Sequence, residues 1–68
     1  DLTSADLAFA DLTDAFLGYA DLTDANLRYA DLTDANLNAA TVTNANFGYT
    51  IWSNTIWTDG VAYNTNQA

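Results

Sequence analysis

The bulky apolar positions of this chain recur every five residues. Leucine occupies Leu2, Leu7, Leu12, Leu17, Leu22, Leu27, Leu32 and Leu37, and the same phase continues through Val42, Phe47, Trp52 and Trp57. From Leu7 onward an alanine, later a threonine, stands two residues earlier. The residue between is mostly Asp or Asn. A step of five suits neither common element. On a helix it rotates the side chain by roughly 140°, which would spiral the leucines over the surface. In a straight strand an odd step sends alternate leucines to opposite faces. One core can hold them all only if the chain turns a corner every five residues. Ala and Leu then share the inward face of a short extended side. The Asp or Asn between them points outward, where it can bond turn backbone. The pattern predicts an all-β solenoid whose core is a column of Leu7, Leu12, Leu17, Leu22, Leu27, Leu32, Leu37, Val42, Phe47, Trp52 and Trp57.

Two kinds of five-residue unit alternate. Ala-Asp-Leu-Thr-Asp occurs at Ala10 to Asp14, Ala20 to Asp24 and Ala30 to Asp34. Units ending in tyrosine occur at Ala15 to Tyr19, Ala25 to Tyr29 and Ala45 to Tyr49. An alternation of two requires an even number of sides per coil. Near the C-terminus the repeat decays. Trp52 and Trp57 are large enough to cover an open coil, and Asp59-Gly60 signals a tight turn between β-prone Ile56 to Thr58 and Val61 to Tyr63. Residues 50–63 are expected to form the last coil and a cap, and Asn64 to Ala68 a frayed tail. Asp1 begins inside a repeat, so the first coil is expected to be covered by another molecule, or the chain to be an excised piece.

The A-(D/N)-L-x-x run resembles the pentapeptide-repeat family over Asp1 to about Asp59. That resemblance implies a right-handed quadrilateral β-helix with four pentapeptides, twenty residues, per coil. About three coils would then stack to a rod about 15 Å tall, at a strand spacing of about 4.8 Å. With that period, Phe9, Tyr29 and Tyr49 fall in one outward column, Thr3, Thr23 and Thr43 in another, and Asp14, Asp34 and Asn54 in a third. Asp11 lies over Asp31, Asp14 over Asp34 and Asp1 over Asp21. Repulsion between such close pairs is expected to raise their carboxylate pKa values in the fold.

Composition narrows the function. Nine acids against the single Arg28 give a net charge of −8, and there is no histidine and no cysteine. The usual general base and the usual nitrogen and thiolate metal ligands are missing. Catalysis is not expected, and no cofactor. Nucleic-acid binding through phosphates needs basic residues that are absent. No apolar run approaches the roughly 20 residues of a membrane helix. Leu, Ile, Val and Phe number only 15 of 68 residues, near the roughly 20% level at which charged chains lose their core. A repeating stack, where each layer covers the next, is the way such a chain can fold.

Three groups of side chains stand out. Asp11, Asp14, Asp31 and Asp34 would lie close together. Turn formation and solvation account for them, with weak divalent cation binding the residual role. Phe9, Tyr29 and Tyr49, with Tyr19 on the opposite side, form either a structural ladder or an interaction face. Arg28 is expected in a salt link or a stacking contact beside Tyr29. Only Thr41 and Thr43 offer the paired outward threonines that ice binding would use. The leading functional reading is a non-catalytic structural or protein-interaction module, a short acidic rod. The second is a subunit that stacks end to end with itself into a filament. The third comes from the resemblance, since some members mimic DNA and bind type II topoisomerases. Net charge fits that role, but the rod is too short for it.

Overall fold

A computed structural model describes residues 1–68. It contains no helix. From Leu2 to Thr50 each five-residue unit closes a turn in which the carbonyl of its bulky apolar residue accepts the amide three residues on, as in Ala5 N to Leu2 O at 2.9 Å, Ala30 N to Leu27 O at 3.0 Å and Ala40 N to Leu37 O at 2.9 Å; the corner at Asn54 keeps the dihedral pattern without that bond. The second central residue of every such turn has positive φ, while the first does not. This holds at Ser4, Phe9, Asp14, Tyr19, Asp24, Tyr29, Asp34, Ala39, Asn44, Tyr49 and Asn54, with φ between 51° and 64°. That sign pattern is the type II turn, where glycine or asparagine is usual. Here none of the eleven is glycine. The outward Asp or Asn completes the corner by accepting the amide two residues on. Asp21 Oδ1 takes Thr23 N at 3.0 Å and the Thr23 hydroxyl at 2.6 Å, and Asn36 Oδ1 takes Asn38 N at 2.9 Å.

Corners bring residues twenty apart side by side. Parallel bridges join Asp6 to Asn26, Asp11 to Asp31, Phe16 to Asn36 and Asp21 to Thr41. The series continues from Asn26 to Asn46, Asp31 to Ile51 and Asn36 to Ile56. Each bridge is held in both directions: Asn26 donates to Ala5 O at 2.9 Å and accepts from Leu7 N at 2.7 Å. The strained residues take part, since Phe9 N donates to Arg28 O at 2.9 Å and Tyr29 N to Gly48 O at 3.0 Å. A left-handed residue costs about 1–2 kcal/mol. The fold offsets that cost by putting most of these amides into bonds between levels.

The core follows the stacking. Leu22, Leu27, Leu32 and Leu37, in residues 21–40, are fully buried together with Ala25, Ala30 and Ala35. They have a neighbour twenty residues away on both sides. Leu2, Leu7, Leu12 and Leu17 have one on one side only and are partly buried against them. At the other end Phe47 and Trp52 are buried, and Val42 and Trp57 partly so. Thr55 takes the place that Ala35 holds twenty residues earlier. It is fully buried, and its hydroxyl donates to Leu32 O at 2.7 Å.

The C-terminal segment departs from expectation in two ways. Strand β1 (Thr55–Ile56) pairs antiparallel with β2 (Ala62–Tyr63), matching Thr55 with Tyr63 and Ile56 with Ala62. The connection is the three-residue loop 58–60, closed by Trp57 N to Val61 O at 3.0 Å and Gly60 N to Trp57 O at 2.9 Å. Only Gly60 there has positive φ, 79°. A two-residue Asp-Gly turn would need it at both central positions. Residues 64–66, expected to fray, are instead tied back by side-chain amides. Asn64 Oδ1 accepts Asn54 N at 2.8 Å, and Asn66 Nδ2 donates to Phe47 O at 2.8 Å.

Candidate functional site

The corners place the aromatic residues. Phe9, Tyr29 and Tyr49 occupy equivalent left-handed positions twenty residues apart, so their rings project from one edge in register. Ring centroids are 4.9 Å apart for Phe9 and Tyr29, inclined by 5°, and 5.1 Å for Tyr29 and Tyr49, inclined by 9°. Arg28 lies against this ladder with Cζ 5.4 Å from the Tyr29 centroid and 5.3 Å from that of Tyr49. It therefore takes the stacking contact, and its cation is held by the ring quadrupoles. Because the rings cover one another, the ladder offers edges to solvent. Open ring faces remain at its two ends. Tyr19 stands apart, 79% exposed, because the residue twenty further on is Ala39.

Phe16 was not singled out by periodicity, since it replaces the outward Asp or Asn of its unit. It is 74% exposed, and its ring folds over Gly18, where an added Cβ would sit 2.8 Å from ring carbons. Phe9, Phe16 and Tyr19 thus all belong to residues 1–20. At the opposite end a second aromatic cluster is inward. Trp57 meets Phe47 edge-on at 5.2 Å and Trp52 at 5.2 Å, and Trp52 Nε1 donates to Thr50 Oγ1 at 2.7 Å.

The acids behave differently from the repulsion expected of stacked pairs. The Thr13 side chain and amide lower the Asp11 pKa, and the Thr23 hydroxyl and amide lower that of Asp21. The carboxylates are exposed, so water screens their mutual repulsion, while two donors within the same turn stabilise each anion. Where the stack continues into residues 41–60, asparagine takes over from aspartate. Asn44 Nδ2 donates to Asp24 at 2.6 Å and Asn54 Nδ2 to Asp34 at 3.3 Å. Asp59 is the exception in that region. It accepts the Tyr63 hydroxyl at 2.6 Å and Val61 N at 2.9 Å, which lowers its own pKa and raises that of Tyr63. The surface has no cavity, and no three acids converge closely enough to hold a metal ion.

A repeat of five residues, cornered at each unit and bridged at every twentieth residue, defines a β-helical repeat protein. The family model of pentapeptide repeats matches residues 1–38 in eight copies, more than half of the chain, and the chain belongs to that family. No curated protein matches it. The bridged register runs beyond the matched region, to Ile51 and Ile56.

Proposed function

We propose that the chain is a right-handed quadrilateral β-helix of about three coils, with residues 50–63 as last coil and cap. It serves as a non-catalytic structural and protein-interaction module, a short acidic rod within a larger protein or assembly. The observation that supports this best is the use made of the polar residues. Most outward Asp and Asn side chains close a corner or bond the next level; of the nine aspartates only Asp14 makes no side-chain hydrogen bond, and it stands exposed with no cavity beside it. Eight of the nine aspartates lie in residues 1–34, so the acidic surface is concentrated toward one end. The aromatic ladder braces that surface and keeps its charges at fixed spacing.

Core truncation at two levels tests the architecture. Leu27→Ala is expected to cost about 3 kcal/mol, within the usual range for a buried leucine, and Leu7→Ala clearly less. Both are read from denaturant melts. Equal costs, or a far-ultraviolet dichroism spectrum dominated by helix, would overturn the coil assignment. Inhibition of a type II topoisomerase by the chain would replace the module reading with DNA mimicry.

A further inference from the structure

We propose that the side of the rod formed by residues 15–19 and 35–39 is a binding platform for a neutral saccharide chain, with the Phe16 ring as its stacking surface. The inference takes its register from the β-helix reading above and goes beyond the module reading. Phe16 is bridged to Asn36, and Leu17 N donates to Asn36 O at 2.7 Å. Tyr19 N donates to Asn38 O at 2.9 Å. Asn36 and Asn38 therefore stand beside Phe16 and Gly18 on the next level, about 4.8 Å away. The Phe16 ring turns along its own level onto Gly18, where an added Cβ would sit 2.8 Å from two ring carbons. The equivalent positions twenty and forty residues on hold Asn38 and Thr58, so the glycine is what makes room for the ring. The orientation of the ring is thus fixed inside one unit, on a side of the rod.

Charge and polarity select the ligand. Neither unit carries an ionised side chain, and further along the same side the single charge, Asp59, is engaged with Val61 N and the Tyr63 hydroxyl. Each of the other sides carries aspartate within residues 1–34. A charged ligand finds no counter-ion here and meets Asp14 and Asp34 at the neighbouring corner. The neutral polar groups are free. Asn36 Oδ1 accepts Asn38 N at 2.9 Å, but Asn36 Nδ2, the Asn38 side-chain amide and the Tyr19 hydroxyl enter no hydrogen bond within the chain and face water, since no buried side-chain polar atom lacks a partner. A pyranose has the complementary build. The axial C–H groups of one face leave water against an aromatic ring, and the hydroxyls at its edge donate to and accept from amides and a phenol. Tyr29 and Tyr49 offer no such place, because their rings cover one another and Arg28 lies against them. A protein partner needs more room than this side has. Extents of 25 and 17 Å bound it at about 400 Å², below what a specific protein interface requires of each partner.

Titration of the isotope-labelled 68-residue chain with cellohexaose to about 10 mM, enough to read a Kd on the order of 1 mM, tests this through the amide resonances. The expected result is a saturable shift confined to residues 15–19 and 35–39, with the Asn36 and Asn38 side-chain amides among the groups that move. Phe16→Asn removes the ring and gives Gly18 N the acceptor that Asn36 gives Asn38 N. It should weaken binding at least tenfold while leaving the melting curve cooperative, and Tyr49→Ser should leave binding unchanged. An oligogalacturonate of the same length should bind at least tenfold more weakly than cellohexaose. The proposal is overturned by no shift, by shifts on another side, by binding that survives Phe16→Asn or is lost with Tyr49→Ser, or by equal binding of the galacturonate. It is also overturned if the same resonances move with protein concentration alone, which would make a second copy the occupant. In each of those outcomes, nuclear Overhauser contacts between residues twenty apart leave the β-helix reading standing. Their absence overturns both.

Discussion

At every fifth residue the backbone takes a conformation that its side chain does not favour. Asp and Asn tolerate the left-handed region, and five of the eleven such positions are one or the other. Ala39 has only its amide bond to Thr58 O, at 3.1 Å, to hold it there, because its side chain is exposed and has no partner. Ala39→Gly should therefore relieve strain and stabilise the chain by up to about 1 kcal/mol, the relief exceeding the added freedom of the unfolded chain. A fall in melting temperature would mean that the turn carries little strain there. Acid stability is set at the same scale. Asp11 and Asp21 have pKa values lowered by their own turns. An acid whose folded pKa is depressed stabilises the fold above its unfolded pKa of about 3.9 and stops doing so as pH falls through the folded value. The melting temperature should be nearly flat from pH 7 to about 5 and drop below about 4. Asp21→Asn, which keeps an acceptor oxygen in the turn, should shrink that drop. A melting temperature that rises on acidification would put the repulsion between stacked aspartates back in charge.

Between corner and rod lie the elements, and here the sequence was legible unevenly. The inward phase of Leu and Ala, the outward Asp and Asn, and the column of Phe9, Tyr29 and Tyr49 can all be read from spacing. Each depends only on which residues are five or twenty apart. The left-handed corners cannot be read that way, because Ser4, Phe9, Tyr19 and Ala39 carry no glycine signal. They are imposed by bonds between levels and override local preference. Phe16 over Gly18 was missed because Phe16 breaks the repeat, although an apolar residue beside a glycine in an outward position was the available clue. The docked tail is not legible in the sequence, because polar residues such as Asn64 and Asn66 read as loop until the Asn54 amide and the Phe47 carbonyl that they bond are located. The loop joining β1 and β2 is similarly particular. Gly60 sits at φ 79°, with Asn38 3.2 Å from an added Cβ, so Gly60→Ala should cost about 1 kcal/mol. Tyr63 holds its proton above its ordinary pKa through Asp59. A raised folded pKa means that this contact contributes below about pH 10 and is lost as pH rises through the folded value. Tyr63→Phe should remove that alkaline loss. If the alkaline limb is unchanged in Tyr63→Phe, the Asp59 contact does not hold the hairpin.

Across the 68 residues, burial follows how many levels are covered on both sides. Only residues 21–40 meet that condition for all four leucines. In repeat proteins stability is close to a sum of units and the interfaces between them. Duplicating residues 21–40 immediately after Ala40 would add a second fully covered level with every column in register: Leu over Leu, Tyr29 over a second tyrosine, Asp24 over Asp24. Fully burying a leucine contributes roughly 2 kcal/mol, and the inserted level would bury four while adding its own bonds to both neighbours. The insertion should raise the melting temperature and sharpen the transition, at the cost of stacking four more aspartates. Added salt should then stabilise the longer chain more than the parent. Duplicating residues 21–30 alone offers the contrast. Ten residues preserve the five-residue phase and the leucine column, but everything after the insertion shifts by half a coil. Tyr49 would then leave the column of Phe9 for that of Tyr19 and stand above the second copy of Tyr29, while Trp52, displaced together with Leu32, would stay above it. The contrast is one of coverage: the shorter insertion adds two buried leucines and the longer one four, so the ten-residue insertion should give a lower melting temperature than the twenty-residue one. Equal stability of the two would show that covering two further leucines adds little to the stack.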